Sequence, residues 1–238
     1  MVATRSKSES TRARRKRAPR VRQLEFPRHG GKRRGAGRKP KGSKPGVSHR
    51  SRGPLAARHP VLVTFKVAGG LPGLREPAVR DRVHDALLRA QARGDVRVVH
   101  FSIQANHVHA LVEAEDARAL SRGMQGLAVR IARRLNRLWE RSGRVFADRF
   151  HSRVLRTPQQ VRNALAYVLQ NARKHGMRLL GLDAYSSAAA FDGWRELLRI
   201  QRHVATAVPV ERARSWLLSI GWRRHGLISV DEVPSGDT

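Results

Sequence analysis

The run Asn106-His107-Val108-His109-Ala110-Leu111-Val112-Glu113 sets two histidines one residue apart inside a short apolar stretch. Successive side chains of a β-strand alternate faces, so His107 and His109 project from one side while Val108, Ala110 and Val112 point into a core on the other. Two neutral imidazoles held side by side on a rigid strand make most of a divalent-metal site. Taken alone, the pair reads equally well as one rim histidine beside one satisfied by a neighbour, because a two-residue spacing is a weak motif. Its weight comes from the rest of the chain.

Working outward, residues 96–104 alternate through Val99, Phe101 and Ile103 and predict a strand. The tight Ala105-Asn106 junction feeds this strand into the histidine strand, forming an antiparallel hairpin. Upstream, residues 61–67 (VLVTFKV) are β-branched, apolar and bounded by Pro60 and Gly69-Gly70, which reads as a buried strand. Between these strands Val79, Val83, Ala86, Leu87 and Ala90 recur at helical spacing from Pro77 until Gly94.

Downstream, Asp116 is placed to cap a long helix whose apolar stripe is Leu120, Met124, Leu127, Ile131, Leu135 and Leu138. Arg118, Arg122, Arg130, Arg133, Arg134 and Arg137 fill its other faces, and Gly143 is expected to end it. A fourth strand is expected late in residues 145–156. Thr157-Pro158-Gln159-Gln160 then has a hydroxyl cap, a proline at the first helical position and a glutamine placed to close a capping box. In the helix that follows, Val161, Ala164, Leu165 and Val168 form the buried side. Asn163, Tyr167 and Asn171, spaced by four, share another side, with Lys174 beyond them. Gly176 stops it.

The order β-α-β-β-α-β-α predicts an α+β fold, a ferredoxin-like split βαβ core with helices packed on one face of an antiparallel sheet. This core is expected over residues 59–178. Trp194, Leu197, Leu198, Trp216, Leu217, Leu218, Ile220 and Trp222 point to a small helical C-terminal extension over residues 179–238, either an accessory module or padding for the core.

Residues 1–58 are dominated by Arg, Lys, Gly, Pro and Ser, with Glu9 and Glu25 the only acids, and predict a disordered basic arm. Arg33, Arg34, Arg38 and Lys39 lie in its glycine-rich part. The Gly37-Arg38-Lys39-Pro40 piece resembles a minor-groove AT-hook, although a general phosphate-binding tail is the more economical reading.

The formal net charge of +31 attracts polyanions, so nucleic acid is the natural partner. No apolar run is long enough to span a bilayer, which argues against a membrane protein. The absence of cysteine excludes disulfides, thiolate metal sites and cysteine nucleophiles. No secretory signal follows the basic start, so a cytoplasmic location is expected.

A metal at His107 and His109 would polarise a phosphodiester. Tyr167 would then attack phosphorus to form a covalent phosphotyrosine that keeps the bond energy for rejoining. Asn171, one turn beyond, is placed to complete the metal shell through its carbonyl oxygen. Three segments carry a specific resemblance: Asn106-His107-Val108-His109, Arg149-Phe150-His151, and the run from Tyr167-Val168-Leu169-Gln170-Asn171 to Lys174-His175-Gly176. Over residues 59–176 the chain resembles the single-tyrosine HUH transposases of the IS200-like family, in particular their REP-associated branch. Its Asn171-Ala172-Arg173 departs from the Asn-Pro-Val common there.

The resemblance implies metal-dependent cleavage and rejoining of single-stranded DNA through a 5′-phosphotyrosine, at hairpin-forming sequences. It implies Mg²⁺ or Mn²⁺ on His107, His109 and Asn171, whereas ligand softness alone leans toward Mn²⁺ or Zn²⁺. Arg130, Arg133, Arg134, Arg149 and Lys174 join the arm as expected DNA contacts. The resemblance also implies that, in members that dimerise, the tyrosine helix of one subunit can sit at the metal of the other, so that a monomer and a homodimer are both open for this chain. The competing reading is a domesticated, metal-free module that binds structured DNA or RNA.

Overall fold

A computed structural model describes residues 53–91, 94, 96–179, 181–196 and 208–234, all within one compact unit. Arg33, Arg34, Arg38 and Lys39, most of the basic arm, and Leu197 and Leu198 lie outside the described residues.

Four strands form an antiparallel sheet in the order β2-β3-β1-β4, with β1 at Val61–Lys66, β2 at Arg97–Ile103, β3 at His107–Glu113 and β4 at His151–Val154. This is the expected ferredoxin-like order, and it puts the histidine strand inside the sheet between β2 and β1. Register aligns Lys66 with His107, Thr64 with His109 and Thr64 with His151.

Helices α1 (Pro77–Gln91) and α2 (Ala117–Leu138) cover one face. Val79, Val83, Leu87, Leu120, Met124, Leu127 and Ile131 pack there against Val61, Val63, Phe65, Val108, Ala110 and Val112. The Asp116 carboxylate accepts from the Ala119 N–H at 2.7 Å, as its position before the apolar stripe predicts. The helix ends at Leu138, short of Gly143, because Glu140 already takes a left-handed backbone with φ 48°.

Helices do not stay on one face. Helix α3 (Pro158–Leu169) and the C-terminal segment cover the opposite side, where Val161, Leu165, Phe191, Trp194, Leu218 and Trp222 pack on Leu62, Val99 and Leu111. The tryptophans expected to pad the core or form a separate module therefore complete the second layer.

Strand β2 also corrects a simple alternation. A bulge shifts the register between Val98 and His100, so Val99 packs toward α3 while Phe101 and Ile103 pack toward α1 and α2. The capping box is modified as well. Thr157 Oγ1 accepts from Gln160 N at 3.2 Å, but Gln160 Oε1 reaches back to Arg156 N at 2.8 Å, one residue before the cap. No helix among the described residues is long and apolar enough to cross a membrane.

Candidate functional site

The half of the α3-side sheet face nearest the β2–β3 turn is polar. His107 and His109 share it with Thr64 and Lys66 of β1 and with Ser102, which stands opposite His109 on β2. Their ring centroids are 4.5 Å apart. Helix α3 lays Tyr167 over this patch, with its hydroxyl 3.3 Å from His109 Nε2 and the two ring centroids 4.9 Å apart. The phenol and the histidine pair thus meet within one chain, although 58 residues separate Tyr167 from His109.

Neighbours orient both imidazoles. His107 Nδ1–H donates to Asn106 Oδ1 at 2.7 Å, which leaves Nε2 with its lone pair. His109 Nδ1 lies 2.9 Å from Thr64 Oγ1, and with the proton on Nδ1 its Nε2 is likewise an acceptor facing Tyr167. A hydrogen bond on one ring nitrogen sets the tautomer of the other, as it does around protein-bound metals.

The local field keeps the pair neutral. Burial, then the charges of His175 and Lys66, lower the His107 pKa to about 4. Burial, with His107, His175 and Lys174, lowers that of His109 to about 3. Both rings therefore present lone pairs at neutral pH.

Asn171 opens α4 (Asn171–Lys174), which follows α3 after a break at Gln170. It is 1% exposed, and neither atom of its amide has a hydrogen-bond partner. Gln104, at the turn into the histidine strand, is equally buried and its amide is also without a partner. Buried amides without partners are costly, so they point to a ligand that supplies the missing bonds. Two neutral imidazoles and an amide oxygen suit a divalent cation such as Mn²⁺, although no three His, Asp or Glu side chains among the described residues converge on one point.

A cleft of about 320 Å³ opens beside Tyr167, lined by Thr64, His109, His151, Arg153, Tyr167 and Lys174. Lys174 Nζ lies 4.7 Å from the Tyr167 ring centre, so the expected DNA-contacting lysine stands next to the phenol. Arg149 is exposed just before β4. By contrast, Arg130, Arg133 and Arg134 belong to α2, on the far face of the sheet. The Arg134 guanidinium is engaged by Asp85 of α1 at 2.6 Å, which ties the two helices together.

Several residues at the site were not singled out by spacing. Thr64 gains its place through strand register alone, and His175, whose ring is 5.9 Å from that of His107, through its position at the C-terminal end of α4. Glu113 neither faces water nor touches the histidines. Its carboxylate accepts from Arg97 and from the backbone N–H groups of Arg214 and Ser215, fastening the C-terminal segment to β3. Tyr185, the other tyrosine, is structural: its carbonyl accepts from Ile103 N, and Arg75 lies 4.4 Å over its ring.

Residues 73–171, which include His107, His109, Tyr167 and Asn171, match the family model for IS200-like transposases. No curated protein matches the chain significantly. Among solved structures, a REP-associated tyrosine transposase bound to a REP hairpin aligns with a TM-score of 0.50 at 15% identity, covering 71% of this chain and 100% of that one. A bacterial tRNA(His) guanylyltransferase-like protein in complex with ATP aligns at 0.39 and 12% identity, over 52% of this chain and 61% of that one, too weakly to bear on the fold. Part of the chain, residues 73–171, is thus similar to the IS200-like transposase family, and the chain shares the fold of a REP-associated tyrosine transposase.

Proposed function

We propose that this protein cleaves and rejoins single-stranded DNA at hairpin-forming sequences, with Tyr167 as nucleophile and with Mg²⁺ or Mn²⁺ held by His107, His109 and Asn171. The observation that carries this reading is the Tyr167 hydroxyl lying 3.3 Å from His109 Nε2 in the same chain. When bound, the cation polarises the scissile phosphodiester and offsets the charge that develops on it.

Tyr167 Oη forms the new bond to phosphorus as the bond to the 3′ oxygen breaks, and the proton the phenol gives up is balanced by the one the departing 3′ oxygen takes. The product is a 5′-phosphotyrosine, and attack by a 3′-hydroxyl reverses the step. Helix α3 orients the phenol, while Asn106 and Thr64 orient the imidazoles. Lys174, Arg149 and the cleft beside Tyr167 hold the strand. Preference for a hairpin rests on family resemblance and on the REP hairpin in the similar structure.

The test is a denaturing gel of the protein incubated with Mn²⁺ and a labelled single-stranded hairpin. A protein–DNA adduct is expected from the wild type. Tyr167→Phe should abolish it while leaving DNA affinity within a few-fold. An adduct that persists in that variant removes Tyr167 from the chemistry, and an adduct that survives chelation removes the metal.

A further inference from the structure

The donors at this site carry no negative charge. An imidazole or a carboxamide has no anionic form at neutral pH, and besides His107 and His109 the residues concerned are Asn171, four residues after Tyr167, and Gln104, beside the β2–β3 turn, whose amides are buried and without partners. Gln104 belongs with them by register: Ile103 packs in the opposite core, so Gln104 faces the histidine side, and its N–H donates to the His107 carbonyl at 2.8 Å. Glu113, the carboxylate on the same face of β3, lies beyond Leu111 and is occupied by Arg97 and two backbone N–H groups.

What surrounds the donors is cationic. Lys66 stands opposite His107 on β1, and Lys174 lies over the Tyr167 ring. His151 and Arg153 line the adjoining cleft from β4. A dication placed among neutral ligands keeps its full charge and is repelled by these neighbours. Protein sites that hold divalent metals tightly usually supply carboxylates or thiolates to offset that charge.

We propose that the site takes up its cation together with the DNA phosphodiester, so that cation and DNA bind cooperatively. The strand's phosphates supply the negative charge the protein leaves out, and they quench the repulsion from Lys66, Lys174 and Arg153 as well. This inference rests on the metal-dependent reading above. It adds that the free protein is a poor metal binder and that each ligand raises the affinity for the other by the same factor, as linkage requires.

The experiment uses the full-length chain carrying Tyr167→Phe to stop turnover. Mn²⁺ binding is followed by the electron paramagnetic resonance of the free ion, with and without a single-stranded hairpin oligonucleotide. The same protein with His107→Ala and His109→Ala gives the baseline for Mn²⁺ held by DNA itself. DNA is expected to tighten site-specific Mn²⁺ binding by about 10-fold or more, with Mn²⁺ tightening DNA binding equally. Asn171→Asp and, independently, Gln104→Glu should each strengthen Mn²⁺ binding in the absence of DNA and reduce the coupling. Equal Mn²⁺ affinity with and without DNA overturns the cooperative capture and leaves metal dependence standing. No binding above baseline in either condition overturns both.

Discussion

Asn106 Oδ1 accepts from His107 Nδ1, and Thr64 Oγ1 holds His109 Nδ1, so one hydrogen bond apiece fixes how each ring is turned, which for His109 sets Nε2 toward Tyr167. Replacing either partner frees a ring to rotate or change tautomer. Asn106→Ala and Thr64→Val should each weaken Mn²⁺ binding in the presence of DNA by about 10- to 100-fold, measured by titration calorimetry, with little change in melting temperature. Asn106→Asp, which keeps the acceptor, should restore most of the loss. His100 shows the opposite use of an imidazole. It is buried with Nδ1 3.1 Å from Ser187 Oγ and its ring against Phe191, and burial lowers its pKa to about 4. A folded pKa below the unfolded 6.5 means that the unfolded chain binds the extra proton between those values. Stability contributed by the neutral ring is therefore complete above pH 6.5 and is lost as pH falls toward 4, by about 3 kcal/mol over the window. Urea unfolding at pH 7 and pH 4.5 should show a smaller drop in His100→Gln than in the wild type, and an equal drop would remove His100 as the cause.

Helix α3 carries the phenol, and what holds it is the C-terminal segment. Arg162 makes two bonds to the Glu232 carboxylate, at 2.7 and 2.8 Å, and the Gln170 amide donates to the carbonyls of Ser229 and Val230. Trp222 packs against the same helix from the second core cluster. The other end of the strap is Glu113 on the histidine strand, 4% exposed and bonded to Arg97, Arg214 N and Ser215 N. Glu113→Ala leaves the backbone N–H groups of Arg214 and Ser215 without this acceptor and reduces the two carboxylate partners of Arg97 to Glu211 alone. It should destabilise the fold by about 3 kcal/mol in chemical denaturation and lower adduct formation through loss of Tyr167 placement. Unchanged stability would show that the strap is not held from β3. The element pattern itself was legible: the proline and threonine starting α3, the aspartate starting α2 and the β-branched strands each announce themselves locally. The bulge in β2 was not, because Val99, Phe101 and Ile103 keep perfect alternation in sequence while the register shift turns Val99 to the other face.

At the scale of the whole molecule, a net charge of +31 means that binding to DNA should be strongly salt-dependent. Removing residues 1–52, which hold much of the basic excess, should weaken binding to a single strand and reduce the slope of log K against log salt by about 0.7 for each phosphate that the shortened chain no longer neutralises. Adduct formation at saturating DNA should remain close to that of the full chain, and its disappearance would place part of the active site in the arm. The exposed Arg133 of α2 faces away from the histidine patch, so a nucleic acid touching both would have to pass around the sheet. The sequence alone determined the ferredoxin-like order, the large excess of positive charge, and the residue types at the site, since periodicity, caps and charge are local or additive properties of a chain. Only the tertiary structure decided that Tyr167 meets His109 within one chain, that Thr64 and Gln104 stand beside the pair, and that the tryptophan-bearing tail roofs the second face. Those facts depend on strand register and on packing between segments far apart in the chain, and no local pattern encodes the distance between two groups that only folding brings together.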